Sequence, residues 1–230
     1  MEKRRACNVS ERRKGRTHDA EGAKEAIINA AEQAFADKGF SGARIDAIAE
    51  ASGYNKSLIF HYFEDKLGLY SAVIKHIKEH GEDSYGHLFA SYASEEVILR
   101  DVQTFRTFLA ECVRISFDFF VAHPNVLRIF TWEMAEGWHT FNLMITRFNR
   151  NPSGHAGRLF RHAQERGYVR PTHNPAMLVV MALGICQFYL TSIPRYQAIF
   201  KDEDFTSPEA LAEAREQITE FVVRGIMADS

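Results

Sequence analysis

The stretch GYNKSLIFHYF, residues 53–63, decides how the fold of this chain is read. It opens with a glycine, continues with Asn55, which is a good helix N-cap, and ends in four consecutive ring side chains, residues 60–63. A soluble protein places so many rings together either in a short core helix or in a helix that presses against another macromolecule.

A helix that starts after Asn55 separates these two roles. Ile59 and Phe63 lie four residues apart, so both can face the core. The outward positions are then Lys56, Ser57, Phe60 and His61. Gly53 suits a tight turn that needs a positive φ. The pattern predicts a helix-turn-helix, whose second helix enters the DNA major groove.

Helical spacing continues on both sides of this stretch. Apolar residues three and four apart predict a helix that carries Ile27 and Phe35 and ends at a left-handed Gly39. A short second helix carries Ile45, Ile48 and Ala49 and stops before Gly53, and Asp65 can cap a fourth. Four helices within about 60 residues, joined by short turns, indicate a compact unit over residues 19–80.

Longer helical segments follow in residues 81–230. His123-Pro124 interrupts one helix, residues 126–148 form another, and Ser207-Pro208-Glu209 is a strong helix start. Pro175 opens the apolar segment 176–200. No segment alternates with period two, so we expect an all-α fold with an N-terminal helix-turn-helix domain and a C-terminal helical bundle.

Composition limits the class of protein. The chain has 230 residues, 46% of them hydrophobic, and a net charge of −2, which suits one core plus a small appended domain. Its apolar run 176–190 is shorter than a membrane-spanning helix and contains Gln187, so we expect no membrane partner. Three scattered cysteines favour a reducing cytoplasm. No motif indicates catalysis, a cofactor or a metal site, so we expect no enzyme and no cofactor.

Charge is distributed unevenly along the chain. Residues 1–18 carry seven basic and two acidic side chains, a net charge of +5, and lack hydrophobic periodicity. We expect this segment to be a flexible basic arm. Residues 19–80 carry seven basic and ten acidic side chains, a net charge of −3. Because phosphate neutralisation supplies most non-specific DNA affinity, we expect the arm to contribute to DNA binding.

Residues 24–77 resemble the DNA-binding domain of the tetracycline-repressor (TetR) family. The motifs F-x-x-x-G-F, I-x-x-I-A-x-x-S-G and Y-F-x-x-K-x-x-L occur in order, and together they are far more specific than a generic helix-turn-helix. The resemblance implies a homodimer that binds a palindromic DNA operator, with a variable C-terminal domain that binds a small-molecule effector.

The resemblance also implies which residues contact DNA. The recognition helix corresponds to residues 56–63, and Tyr62 and Lys66 match phosphate-contacting positions. Two residues depart from the family pattern: Leu58 replaces a polar residue, and Phe60, without a hydroxyl group, is suited to apolar contact with a thymine methyl group. The expected DNA-binding set is Arg44, Asn55, Lys56, Ser57, Leu58, Phe60, His61, Tyr62 and Lys66.

The C-terminal domain is rich in aromatic residues and methionines. Most of them can simply fill a core, but their density also suits a pocket for an apolar or aromatic ligand. The candidate lining residues are Phe105, Phe108, Cys112, Trp132, Trp138, Phe141, Met144 and Gln187.

Three functional hypotheses follow. The first is a ligand-responsive repressor, which dimerises through two C-terminal helices near 176–200 and 208–228. The second is a constitutive DNA-binding regulator whose aromatic residues serve only as core. The third is a carrier or enzyme built on a helical bundle. The apolar stripes of the last two helices can also be intramolecular core.

Overall fold

A computed structural model describes residues 3–148 and 154–228 of the chain. This part of the chain is all-α, as predicted, and an isolated antiparallel bridge joins Val169 to Met227. The helices are α1 (Lys3–Gly42), α2 (Ile45–Ser52), α3 (Lys56–Phe63), α4 (Lys66–Tyr92), α5 (Glu95–Ile98), α6 (Val102–Ala122), α7 (Pro124–Ala135), α8 (His139–Phe148), α9 (Gly154–Glu165), α10 (Pro175–Ile199) and α11 (Pro208–Ile226).

The boundaries that the sequence marked by special residues are present. Gly39 has φ +66°, Gly53 has φ +76°, and His123 closes α6 before Pro124 opens α7. Ser207 caps α11 through a 3.1 Å hydrogen bond that its Oγ accepts from the amide of Ala210. Gly39 breaks the helical backbone inside α1, Gly53 and Pro124 act through their backbone, and Ser207 acts through its side-chain hydroxyl.

Two helices differ from the expectation. The predicted single helix 126–148 is broken into α7 and α8 by a turn in which Gly137 and Trp138 both have positive φ. In addition, the backbone of residues 3–18 is the start of α1 rather than an arm without regular structure. No proline interrupts residues 3–42, and arginine, lysine and alanine are good helix formers, which explains the continuity. The side chains of residues 3–19 lie outside the described part, so their contact with DNA stays a prediction.

The chain forms two compact units, and the division between them is not the single boundary at residue 80 that the sequence predicted. One unit joins Met1–Lys78 to Arg128–Met144, and the other joins Glu79–Leu127 to Ile145–Ser230. The core of the first unit contains Ile27, Phe35, Ile48, Ile59 and Tyr70, all buried. The core of the second contains Phe105, Phe117, Val113, Leu178 and Val222. The sequence assigned 128–144 to the C-terminal domain, whereas these residues pack with the N-terminal helices.

Candidate nucleic-acid interface

The turn between α2 and α3 is built on Gly53. This residue has φ +76° and ψ 11°, the left-handed region that a side chain disfavours. Its amide donates to the carbonyl of Glu50 at 3.3 Å, and the next amide, of Tyr54, donates to that of Ala49 at 3.1 Å. These bonds close α2 and turn the chain sharply into α3, which is the arrangement the sequence predicted.

Asn55 begins α3 as its N-cap. Its Oδ1 accepts a 2.9 Å hydrogen bond from the amide of Leu58, and its backbone is extended, with φ −84° and ψ 158°. The cap satisfies one of the amides that every helix start leaves without an intrahelical acceptor. The side-chain oxygen of Asn55 therefore has a structural role, and its amide group is the part suited to a base contact.

The two faces of α3 differ as the spacing predicted. Ile59 and Phe63 are buried in the first unit. Lys56, Ser57 and His61 are exposed, and Phe60 leaves 43% of its surface open to solvent. Leu58 and Tyr62 are half-buried. A phenyl ring this exposed on a short helix fits contact with a partner better than a place in the core.

Two basic residues of the predicted DNA-binding set, Lys56 and Arg44, lie on or beside these helices. Lys56 forms an ion pair with Asp46 of α2, so a phosphate group has to compete with that carboxylate. Arg44 precedes α2 as its N-cap residue, is exposed, and makes no side-chain capping bond.

Lys66, the first residue of α4, is held by its neighbours. Its Nζ lies 4.8 Å from the ring centroid of Phe40 and 3.4 Å from the carbonyl oxygen of Ser41. Partial burial lowers the pKa of Lys66, and the negative charge of Glu136 acts in the opposite direction. The lysine is thus fixed in position at a helix N-terminus, where anions bind well.

Three residues that shape this surface were not singled out by sequence reasoning. Lys24 of α1 places its Nζ 5.1 Å from the ring centroid of Tyr62. Asp46 pairs with Lys56, as described above. At the α3–α4 junction, a Cβ on Gly68 would lie 1.9 Å from the carbonyl oxygen of Phe63. The contacts of Lys24 and Asp46 join different helices, so no local sequence pattern predicts them. Gly68, in contrast, could have been noticed as a glycine inside the helical pattern E-D-K-L-G-L.

The predicted ligand-pocket residues are divided between the two units. Trp132, Trp138, Phe141 and Met144 belong to the first unit, and Phe105, Phe108, Cys112 and Gln187 to the second. Phe108 makes edge contacts with Phe89 and Tyr92, at centroid distances of 5.3 Å each, which is core packing. Burial raises the pKa of the Cys112 thiol to about 12, which disfavours its thiolate form.

Gln187 is the member of the pocket set with an unsatisfied group. Its Nε2 is buried and finds no hydrogen-bond partner among the described residues. A buried donor without an acceptor costs free energy, so the interior of the second unit offers an N–H group that a ligand can satisfy. Across residues 3–148 and 154–228, no cluster of three or more His, Cys, Asp or Glu side chains is arranged to hold a metal ion.

Comparison with known proteins covers most of this chain. Residues 27–73 match the family model of bacterial regulatory proteins of the tetR family, and residues 106–222 match that of the tetracyclin repressor-like C-terminal domain. The transcriptional repressor NicS of Pseudomonas putida is 26% identical over 217 residues, which cover 92% of this chain and 95% of NicS. The transcriptional regulator RutR of Escherichia coli is 24% identical over 213 residues, which cover 88% and 90% of the two chains.

Solved structures share the fold at lower identity. A TetR family transcription regulator from Marinobacter aquaeolei superposes with a TM-score of 0.63 at 17% identity, over 93% of this chain and 100% of its own. The ketosteroid regulator KstR2 of Mycobacterium tuberculosis superposes with a TM-score of 0.58 at 16% identity, over 90% and 95%. With a helix-turn-helix at the N-terminus and family models matching both halves, the chain belongs to the TetR family of DNA-binding transcriptional regulators.

Proposed function

We propose that this protein is a ligand-responsive repressor that binds a palindromic operator as a homodimer in the cytoplasm. The observation that carries the proposal is the α2–α3 arrangement, in which Gly53 sets the turn and α3 leaves its polar and aromatic face exposed. Repression fits the relative NicS, whose name describes a transcriptional repressor. The proposed DNA contacts are those predicted from the sequence, with Lys24 added beside Tyr62.

Dimer formation is supported by an exposed apolar face on α10 and α11. Phe188 leaves 64% and Phe221 70% of its surface exposed, and Met177, Val180 and Met181 are also open. A groove lined by Met181, Phe188, Tyr189 and Ile218, among others, runs along this face. A second copy of the chain, packed by two-fold symmetry, would cover the same residues on both subunits. Two-fold symmetry is also what a palindromic operator requires.

Helix α10 has a second possible partner by composition alone. Its segment Met177–Ile199 is long and apolar enough to cross a membrane, although the largely apolar run 176–190 is shorter. Arg195, Gln187 and Pro194 lie within the longer segment, and the family relatives are transcriptional regulators. We therefore assign the apolar face to the dimer, and partition of the purified protein into lipid vesicles would contradict this assignment.

A small apolar or aromatic effector is supported by the interior of the second unit. The unsatisfied Nε2 of Gln187 is a donor, so the effector should carry a carbonyl or carboxylate oxygen beside its apolar body. Effector binding would favour a state with the two recognition helices misplaced for the operator. A constitutive regulator remains the second hypothesis, and it predicts that no such compound changes operator affinity.

The decisive experiment is selection of DNA duplexes from a random-sequence library by the wild-type protein. We expect a palindrome with half-sites one or more helical turns apart, and binding that weakens steeply with salt. A duplex with one half-site destroyed is the matched control and should bind much more weakly. Enrichment of no sequence at low salt would contradict the proposal, and a helical carrier would then explain the fold better.

A further inference from the structure

Three helices carry the chain from one compact unit into the other. Helix α4 crosses between residues 78 and 79, α7 between 127 and 128, and α8 between 144 and 145. Within the first unit, all three meet at a single side chain, the carboxylate of Glu133 on α7. Tyr70 of α4 donates its hydroxyl to Oε1 at 2.5 Å, and the amide of Phe141 on α8 donates to Oε2 at 3.1 Å.

Glu133 is placed where a carboxylate is expensive unless it is well bonded. Only 2% of its surface is exposed. The two hydrogen bonds and the N-terminal end of α8 offset the loss of hydration, because both favour negative charge at that point. Burial, followed by the bond to Glu133, raises the pKa of the Tyr70 hydroxyl, so Tyr70 remains a donor. Apolar residues of similar volume would avoid the desolvation cost of a buried carboxylate, so packing alone does not explain why Glu133 is present.

The turn beside Glu133 is strained. Trp138 has φ +61°, a value that a bulky side chain rarely adopts, and it follows Gly137 at φ +68°. The amide of Trp138 donates to the carbonyl of Glu133 at 2.7 Å. Such a conformation persists only where its surroundings hold it, and it is found at sites of function or switching.

Two other residues of α7, Trp132 and Arg128, bind to the first helix of the DNA-binding domain. The indole Nε1 of Trp132 donates to the carbonyl of Ala36 at 3.2 Å, and its ring covers Gly39, where a Cβ would lie only 3.0 Å away. Arg128 pairs with Asp37 at 2.7 Å. Helices α1 and α4 are thus both fixed to residues 128–144.

We propose that Glu133 is a positioning residue for DNA binding. Its bond to Tyr70 holds α4 against α7 and α8, and α3 precedes α4 through the tight Phe63–Gly68 junction, so the bond sets where the recognition helix stands. Breaking it removes none of the DNA-contacting side chains, but it releases the recognition helix from its fixed position. The inference rests on the operator binding proposed above.

The test is the substitution Tyr70→Phe, which removes one hydroxyl and keeps the ring. Tyr85→Phe is its matched control, because Tyr85 is a half-buried tyrosine on the same helix whose hydroxyl bonds to Ser116 in the second unit. Affinity for the selected operator duplex is measured over a range of salt concentrations. We expect Tyr70→Phe to weaken binding about tenfold at every salt concentration, with an unchanged slope, because the same phosphates are still neutralised. Tyr85→Phe should bind as the wild type does.

A second pair of measurements separates positioning from loss of folding. Circular dichroism at the binding temperature should show the wild-type helix content for Tyr70→Phe. Glu133→Leu should also weaken binding, and the double variant should be no weaker than the weaker single one, because both substitutions remove the Tyr70–Glu133 hydrogen bond. Additive losses, equal losses in both tyrosine variants, or wild-type affinity of Tyr70→Phe would overturn the inference alone. Failure of the wild type to bind any selected duplex would overturn the proposed function together with it.

Discussion

At the junction of α3 and α4, Gly68 has no side chain, and this allows the two helices to pack closely. A Cβ on Gly68 would lie 1.9 Å from the carbonyl oxygen of Phe63, a distance that no rotamer can relieve because the neighbour is backbone. Gly68→Ala is therefore expected to lower the free energy of unfolding by about 1–3 kcal/mol. Urea denaturation at neutral pH measures the change.

Gly86→Ala is the matched control for this prediction. Gly86 lies on the same helix α4, and a Cβ there meets nothing within 4 Å. Alanine is the better helix former, so this variant should be more stable by about 0.5–1 kcal/mol. Equal behaviour of the two variants would mean that the α3–α4 junction is looser than the distance at Gly68 requires.

Lys56 tests the recognition helix directly. Its ammonium group is paired with Asp46 across the α2–α3 surface, and both side chains are about half exposed. Lys56→Ala should weaken operator binding, and it should lower the salt slope by about 0.9 if the lysine neutralises a phosphate. Asp46→Asn is the complementary variant, and it should bind more tightly because it frees the lysine. Wild-type affinity and slope for Lys56→Ala would remove this residue from the DNA surface.

Residue roles that depend on the local backbone could be predicted from the sequence. Gly53 predicts a turn because glycine readily adopts positive φ, and Asn55 predicts a helix N-cap because its side chain can accept a backbone amide. The structure has both. Lys24 beside Tyr62 and Tyr70 beside Glu133 are different, since they join residues 38 and 63 positions apart. Such pairs arise from the packing of whole helices, which spacing along one helix does not encode.

Helix α6 begins at an N-cap that depends on ionisation. The carboxylate of Asp101 accepts from the amide of Thr104 at 2.7 Å, and Arg100 and the Thr104 hydroxyl also bond to it. These bonds, the amide first, lower the pKa of Asp101 to about 2. Because the folded-state pKa lies below the unfolded value of about 3.9, the stabilisation is complete above that value and is lost as pH falls through about 2.

Asp101→Asn should therefore be less stable than the wild type at pH 6, with a difference that shrinks as the pH falls below about 4. Urea midpoints of both proteins between pH 6 and pH 3 provide the measurement. Asparagine still accepts the Thr104 amide, so the comparison isolates the charge. A difference that stays constant over this range would show that the charge of Asp101 does not stabilise α6.

The basic segment at the start of α1 is expected to bind DNA through its charged side chains. Residues 1–18 carry a net charge of +5, whereas residues 19–80 carry −3. Deleting residues 1–18 should weaken operator binding and flatten its salt dependence by about 0.9 log units for each phosphate that the segment neutralises. A full-length variant with the arginines and lysines of this segment replaced by glutamine is the control for length. Identical salt slopes in all three proteins would exclude the segment from the interface.

The lengths of elements were harder to predict than their existence. The sequence indicated a helix after Asp65, but α4 continues to Tyr92, past the expected domain boundary at residue 80. The expected helix 126–148 breaks at Gly137-Trp138, where both residues have positive φ, and Glu133 just before the break accepts hydrogen bonds from α4 and α8. A buried carboxylate on a mostly apolar helix was the available sign, and periodicity alone assigns it no partner.

At the scale of the whole molecule, the apolar face of α10 and α11 is the feature that a single chain leaves unexplained. Phe188 and Phe221 are 64% and 70% exposed. Covering large apolar side chains is favourable by about 25 cal/mol per Å², which favours association of two copies. Phe221→Glu would place a charge in that contact without disturbing the core of the subunit, because the side chain it replaces already faces solvent.

We expect Phe221→Glu to sediment as a monomer at micromolar concentration, where the wild type sediments as a dimer. Its helix content by circular dichroism should be unchanged, and it should bind the palindrome no better than a single half-site, because one subunit reads one half. Val102→Glu is the matched control, since Val102 on α6 is 51% exposed and lies outside α10 and α11. A Phe221→Glu protein that remains dimeric and keeps its preference for the palindrome would place the two-fold contact on another face. The apolar face of α10 would then need a different partner, and flotation with lipid vesicles would test for it.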